Sequence, residues 1–460
     1  MAMTTSTASP IALPETAPAA ARALFRLLRQ LRVGTLDVQL PDGSMAHFGN
    51  GGEPRAAISL HDWSVCAAAL KSGDIGFAER FIEGSWHSPD LVALLKLFIA
   101  NREPIESVIY GSWWGRLAYR VKHLLNRNSR HGSRRNIHAH YDIGNPFYRL
   151  WLDETMNYSS ALFEGDFERP MADAQLAKVR RALHEVEVQP GERLLEIGCG
   201  WGALAEAAAG EFGAHVTGVT LSTEQLEFAT ERLRRHGLAD RSDLRLQDYR
   251  DITDEPFDAI ASIEMFEAVG REYWDSFFAT LRGRLKPGGR ACIQTITIRD
   301  DLFERYTRST DFIQQYIFPG GMLPSPAQFR RQTERAGLRI VQAHSFGAHY
   351  AKTLSTWRAT LALFVADGTC FTNSMVNTRS SAVSSTPSLQ NAPSRSLIVS
   401  VLKSSLYFAG SAARALMIST AMPSQSRVAP SPPRFSNGNT AIAGPPGWAA
   451  ASSSRPAARS

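Results

Sequence analysis

Leu194-Leu195-Glu196-Ile197-Gly198-Cys199-Gly200-Trp201-Gly202 decides the reading of this chain. The apolar run from Arg193 to Ile197 has the length and character of a buried strand, and three glycines come after it at every second position. An alanine-rich helical stretch, Ala203 to Glu211, comes next. Strand, glycine turn and helix in succession open a doubly wound nucleotide-binding sheet. Glycine leaves no Cβ in the way of a ligand, and a helix N-terminus favours a negative group. The spacing is Glu-x-Gly-x-Gly-x-Gly and lacks the G-x-G-x-x-G dinucleotide pattern. It points to S-adenosylmethionine (SAM), whose carboxylate would rest on the turn.

On the C-terminal side the alternation repeats. His215 to Thr220 reads as a second strand, Ser222 as a cap, and Glu224 to His236 as a helix. Leu244 to Tyr249 is a third strand with its exit, and Phe257 to Ile263 a fourth ending at Glu264-Met265-Phe266-Glu267. A turn at Lys286-Pro287-Gly288-Gly289 leads into a fifth, Ala291 to Ile298. On the N-terminal side, Ala174 to Glu185 is a helix feeding the glycine strand. Strands alternating with helices make a parallel α/β sheet of the Rossmann-like methyltransferase type, with ligands at the carboxyl ends of its strands.

The organisation read from the sequence runs 1–20 disordered, 21–115 a small α+β domain, 116–139 a basic linker, 140–366 the methyltransferase domain and 367–460 a disordered tail. In the α+β domain, Asp62 to Lys71 and Asp90 to Ala100 read as helices with Gly73-Asp74-Ile75-Gly76 between them. Ala21 to Val33 opposes Leu24, Leu27, Leu28 and Leu31 to Arg22, Arg26, Arg29 and Arg32, which suits either an anionic membrane surface or packing on its own domain. Trp113, Trp114 and Tyr119 interleave with seven cations between Arg116 and Arg135, a pattern that favours lipid headgroups over a plain solvated linker.

The formal charge of +6 tempts one toward nucleic acid, but its origin argues otherwise. Of the 50 basic and 44 acidic residues, 42 and 43 lie before Asp367, so the body is near neutral and the excess sits in the tail. No N-P-P-[YF] catalytic tetrapeptide occurs either, and nucleic acid is not the expected partner. The four cysteines lack metal-ligand spacing and read as reduced thiols of a cytoplasmic protein, with no metal site. Met1 to Ala20 has neither a basic n-region nor an apolar core and does not read as a signal peptide.

The chain resembles the cyclopropane-fatty-acyl-phospholipid synthase family, which includes the mycolic acid cyclopropane synthases. The matching blocks are HYDIGNPFY (140–148), MNYSSALFEG (156–165), LLEIGCGWG (194–202), GVTLSTEQ (218–225), LQDYRD (246–251), SIEMFEAVG (262–270), QTITI (294–298), DFIQQYIFPGGMLPS (311–325) and HYAKTLSTW (349–357). The resemblance implies transfer of a one-carbon unit from SAM across a double bond of an unsaturated phospholipid acyl chain, giving a cyclopropane ring, by an enzyme peripheral to the inner face of the membrane. A homodimer is an open alternative to a monomer.

For the cofactor, the resemblance places Tyr158 and Ser159 at the methionine end, with Glu196 and the glycines Gly198, Gly200 and Gly202 below. Thr220 and Gln225 match the ribose positions, and Gln247 and Asp248 the adenine positions. The family is thought to hold a bicarbonate that removes the proton on ring closure, bound by a Cys, a Glu, a His, a backbone carbonyl and a Tyr. Glu267 and Tyr350 stand at the Glu and Tyr positions and Ile296 at the carbonyl position, with Glu264 the weaker of two neighbouring carboxylates. Ser160 replaces the Cys and Gln294 the His, both still neutral hydrogen-bond donors. Tyr316 and Phe318 are candidates to face the cationic intermediate. The two replacements make a methyl- or methylene-branched chain the alternative product at the same site, and an inactive SAM- or lipid-binding remnant the alternative of a different class. The family match stops near Phe364, and the residues beyond it read as an out-of-frame tail.

Overall fold

The computed structural model describes residues 14–109, 144–366 and 438–443. They cluster into two compact units. One comprises 14–109, 301–321 and 350–366; the other comprises 144–300, 322–349 and 438–443. Residues 301–321 and 350–366, read from sequence as part of the methyltransferase domain, thus group with the N-terminal residues. The basic segment 116–139 lies outside the described residues.

The first unit carries four strands, β1 (Thr35–Gln39), β2 (Met45–Gly49), β3 (Arg55–Leu60) and β4 (Trp86–His87), in the order β2-β1-β3-β4. β1 and β3 run parallel, and the other pairs are antiparallel. Helix Ala19–Leu28 buries Ala21, Leu24, Phe25 and Leu28 in the core of this same unit, beside Phe48, Ile58 and Trp63. Its apolar face is therefore used at home, and the membrane-surface option for this helix is not the one taken. Gly73-Asp74-Ile75-Gly76 does not separate two helices but lies inside one, Ser64–Ile82, kinked at Gly73 (φ 61°, ψ −136°). A Cβ on Gly76 would lie 2.3 Å from Ala68 O, so only glycine permits the close turn-on-turn contact. Residues 311–318 join this unit, with Phe312 and Ile317 packed against Ile75.

The second unit is built on a seven-stranded sheet, β5 (Arg193–Ile197), β6 (His215–Thr220), β7 (Ser242–Leu246), β8 (Phe257–Ile263), β9 (Leu285–Thr295), β10 (Arg339–Ala343) and β11 (Gly438–Ala443). The order is β10-β11-β9-β8-β5-β6-β7. β5 to β9 are parallel, as the alternation of strands and helices requires, and β11 is antiparallel to both β9 and β10. The core beneath β5 is dense in alanine: Ala205, Ala208 and Ala209 of helix Ala203–Gly210 meet Ala182, Leu183 and Leu194. Small side chains let this helix settle closely on the sheet.

Two expectations change here. The fifth strand ends at Thr295, short of Ile298, because the Ile296 N–H leaves the ladder to donate to the Glu267 carboxylate. Within the tail expected to lack structure, Gly438–Ala443 forms β11, whose backbone groups are satisfied on both sides by ladders to β9 and β10. The rest of the tail lies outside the described residues. No described helix is long and apolar enough to cross a membrane.

Candidate functional site

Every strand of the parallel run ends at a residue singled out in the sequence: Ile197 at the glycine turn, Thr220, Leu246 before Gln247, Ile263 before Glu264, and Thr295 before Ile296. Gly198, Gly200 and Gly202 all have positive φ (87°, 51° and 84°), which explains glycine at each. A Cβ on Gly202 would press on Ala229 at 2.9 Å, whereas one on Gly200 would meet no protein atom within 4 Å. The space over Gly200 is the cradle a ligand needs. Gly198 N and Cys199 N are not available to a ligand, since both donate to Val219 O at 2.9 and 3.1 Å and tie the turn to β6.

Aromatic rings wall the turn. Tyr148, Trp151, Tyr158 and Trp201 contact one another with centroids 5.0–5.7 Å apart. Trp201 Nε1 donates to Asn145 Oδ1 at 2.6 Å. Thr220 Oγ1 and Gln225 Oε1 form a buried 2.9 Å hydrogen bond at the end of β6, so the two ribose candidates stand side by side. The adenine candidates part company. Gln247 is half-buried and donates to Asp251 O at 2.8 Å, while Asp248 is engaged by Arg250 through Nε (2.8 Å), Nη2 (2.6 Å) and backbone N (3.0 Å). The Asp248 carboxylate therefore caps the turn Tyr249–Asp251, and its charge is already paired.

Glu196 is buried under the turn rather than presented on it. Burial pushes its carboxyl up to about 8, with the Lys178 ammonium and the Ala205 amide pulling the other way. Its Oε2 has no hydrogen-bond partner among the described residues. Sequence reasoning misses Lys178. Its signal is there, though: Ala174, Gln175, Lys178, Val179, Ala182 and Leu183 make one buried stripe of helix Met171–Glu185, and a lysine in such a stripe is out of character.

At the ends of β8 and β9 the catalytic candidates converge. Glu264 has φ 48°, a left-handed conformation that a glutamate adopts only under constraint. Its Oε1 accepts from Ser160 N at 2.9 Å and from Gln294 Nε2 at 2.8 Å. Gln294 Nε2 also reaches Ser160 O at 3.4 Å, and the Ser160 hydroxyl donates to Ala161 O at 3.2 Å. A bicarbonate held by residues 160 and 294 does not fit, because those donors already hold a carboxylate of the chain. Glu264, ranked second from sequence, is thus the residue that gathers Ser160 and Gln294. Glu267 lies one 3-10 turn further on, bonded by Ile296 N, with Oε2 buried and without a hydrogen-bond partner among the described residues. Burial first, and the like charge of Glu264 second, push its carboxyl up to about 8, so it holds a proton at neutral pH. Ile296 donates its N–H to Glu267, and its carbonyl accepts from Thr295 Oγ1 at 3.4 Å.

Ser160, Glu264, Glu267, Gln294 and Ile296 all belong to the second unit; Tyr350, on helix Gly347–Ala366, belongs to the first. Tyr316 is likewise in the first unit, its hydroxyl bonded to Glu79 and its ring against Phe312, and Phe318 packs in the same cluster. His349, next to Tyr350 in sequence, carries no signal in its spacing: its Nδ1 accepts from Phe163 N at 2.8 Å, and burial lowers its pKa.

Residues 128–368 match the model of the family described as mycolic acid cyclopropane synthetase. The chain is 38% identical over 317 residues to tuberculostearic acid methyltransferase UfaA1 of Mycobacterium tuberculosis, covering 66% of this chain and 73% of that one. It is 33% identical over 309 residues to the cyclopropane-fatty-acyl-phospholipid synthase of Escherichia coli, covering 67% and 77%. Among solved structures, the mycolic acid cyclopropane synthase CmaA1 complexed with SAH and CTAB aligns with a TM-score of 0.50 at 29% identity, over 62% of this chain and 94% of that one.

Proposed function

We propose, from the premise that this chain belongs to the mycolic acid cyclopropane synthetase family and is a SAM-dependent methyltransferase, that it adds a one-carbon unit to the double bond of an unsaturated phospholipid acyl chain at a membrane surface. The observation that carries the reading is the Glu264 side chain fixed on Ser160 N and Gln294 Nε2 beside the buried Glu267, which Ile296 N holds.

Bound SAM supplies an electrophilic methyl group. An alkene is a weak nucleophile, so the protein's work is to hold it in line with that methyl and to keep water away. Tyr158 and Ser159 orient the methionine end, Gly200 leaves room for it, and Thr220 with Gln225 takes the ribose. Transfer of the methyl to an alkene carbon would break its bond to sulfur, release neutral SAH and leave the positive charge on the adjoining carbon, so that one proton must leave to restore neutrality. Glu264 accepts that proton at a carboxylate oxygen in place of an external bicarbonate. Two hydrogen bonds to Oε1 keep it aimed. Glu267, already carrying a proton, adds no second negative charge beside it. The net change is insertion of CH2, with the proton ending on Glu264.

Loss of the proton from the added methyl with closure gives a cyclopropane. A hydride shift before that loss gives a methylene branch of equal mass. The second product is favoured by the departures at Ser160 and Gln294 and by the likeness to a chain named as a tuberculostearic acid methyltransferase. Incubation with SAM and vesicles of mono-unsaturated phospholipid, then proton NMR of the acyl chains, separates the two: upfield ring protons mark a cyclopropane, and terminal vinylidene protons mark the branch. Absence of any CH2 gain in the acyl chains would refute the reading.

A further inference from the structure

The chemistry above gives no role of its own to one buried ionisable group that faces Glu264. Lys178 is fully buried on helix Met171–Glu185. Taking an ammonium out of water costs several kcal/mol unless it is paired and hydrogen-bonded. Its Nζ donates to Ser159 Oγ at 2.7 Å and to Asn157 Oδ1 at 3.0 Å. Gln175, one turn earlier on the same face, donates Nε2 to Ser159 O at 2.8 Å and to Asn157 O at 3.4 Å. The carboxylates that face the ammonium are Glu264, Asp153 and Glu196, each from a different element. On the far side of the loop, Ser160 N is held by Glu264, and Arg232 NH1 donates to Thr155 O at 2.7 Å. The segment so clamped contains Met156 at φ 54°, a left-handed conformation held by its surroundings. A leucine or methionine would fill the same volume without the burial penalty. What the ammonium adds is a tie between one hydroxyl and one amide of a strained loop.

We propose that Lys178 is a positioning residue for the cofactor: it fixes Asn157 and Ser159 so that Tyr158 and Ser159 present the right groups over the glycine turn. The inference rests on the reading that this loop lines the cofactor pocket, and it concerns binding of SAM rather than the fate of the alkene.

The test compares the full-length chain with Lys178→Met, Asn157→Ala and the double variant, using calorimetric binding of SAH and steady-state turnover of SAM on unsaturated phospholipid vesicles. Loss of charge-assisted hydrogen bonds worth about 1.5–3 kcal/mol predicts an SAH Kd raised about 10- to 100-fold in Lys178→Met. The KM for SAM rises with it, while kcat at saturating SAM stays within about threefold. Asn157→Ala, at a half-buried position, raises the Kd about three- to fivefold, and the double variant binds no more weakly than Lys178→Met alone because the two changes remove one shared interaction. Folded variants that bind SAH within twofold of wild type overturn the proposal. So does a fall in kcat with unchanged KM, the mark of a lost active fraction. Should Lys178→Met fail to fold, Asn157→Ala alone decides by the same criterion. A wild-type chain that binds SAH yet alters no acyl chain sinks the proposed function and leaves this inference to stand or fall on the binding data.

Discussion

Gln294 donates its side-chain amide to Glu264 at 2.8 Å, joining the end of β9 to the end of β8 through the carboxylate that Ser160 N also grips. A carboxylate so placed is the chain's own proton acceptor. Glu264→Gln keeps the shape and removes the basicity, and we expect kcat to fall about 10²- to 10⁴-fold with SAH affinity unchanged. Glu264→Gly relieves the left-handed backbone and bares both donors. That variant should be inactive in plain buffer and regain turnover with added formate or bicarbonate; no rescue at any anion concentration would count against the role.

Glu267 gives a pH signature of stability. Its folded pKa of about 8 lies above the ordinary value of 4.5, so the folded state holds a proton that the unfolded state has released across that window. The stability this contributes is complete below pH 4.5 and is lost as pH rises through about 8. Glu267→Gln, neutral at every pH, should melt higher than wild type at pH 8.5, by roughly 1–3 kcal/mol, and the gain should vanish near pH 4.5. Thermal melts at the two pH values check it.

The glycine turn separates fold from ligand. Gly202→Ala brings a Cβ to 2.9 Å from Ala229 at φ 84° and should destabilise the chain by about 1–3 kcal/mol. Gly200→Ala meets no protein atom and should lose about 1 kcal/mol, the penalty of its positive φ, yet weaken SAH about tenfold or more. Equal effects of the two on melting and on binding would contradict the cradle.

His349 is a neutral acceptor for Phe163 N, with a pKa below 6.5. A depressed histidine contributes stability that is present above pH 6.5 and lost as pH falls through its folded value. His349→Gln, which offers a neutral carbonyl to the same N–H, should flatten the acid side of the stability profile below pH 6.5. A profile identical to wild type would show that the bond to Phe163 is not felt.

The parallel sheet was legible because its signals are local: an apolar run, a glycine turn, a cap at Ser222 that accepts from Gln225 N. The site was legible as a set of strand ends and illegible as a set of pairs. Nothing in the spacing says that Glu264, not Glu267, collects Ser160 and Gln294, since that depends on a backbone in the left-handed region. Asp248 reads as a strand-end ligand candidate, and nothing in its spacing shows that Arg250, two residues on, also pairs with it. Lys178 is hidden by the habit of reading lysine as surface. The strand at 438–443 depends on a gap between β9 and β10 that no local pattern announces.

Among the described residues, Met156, Glu164, Glu187 and Glu264 are the non-glycines with positive φ. Directed evolution for heat tolerance, scored without turnover, should therefore drift toward glycine at 164, 187 and 264 alike. Only at 264 would such a winner be a dead catalyst, so the frequency with which that codon resists change, measured against 187, reads out how hard the reaction itself is being selected.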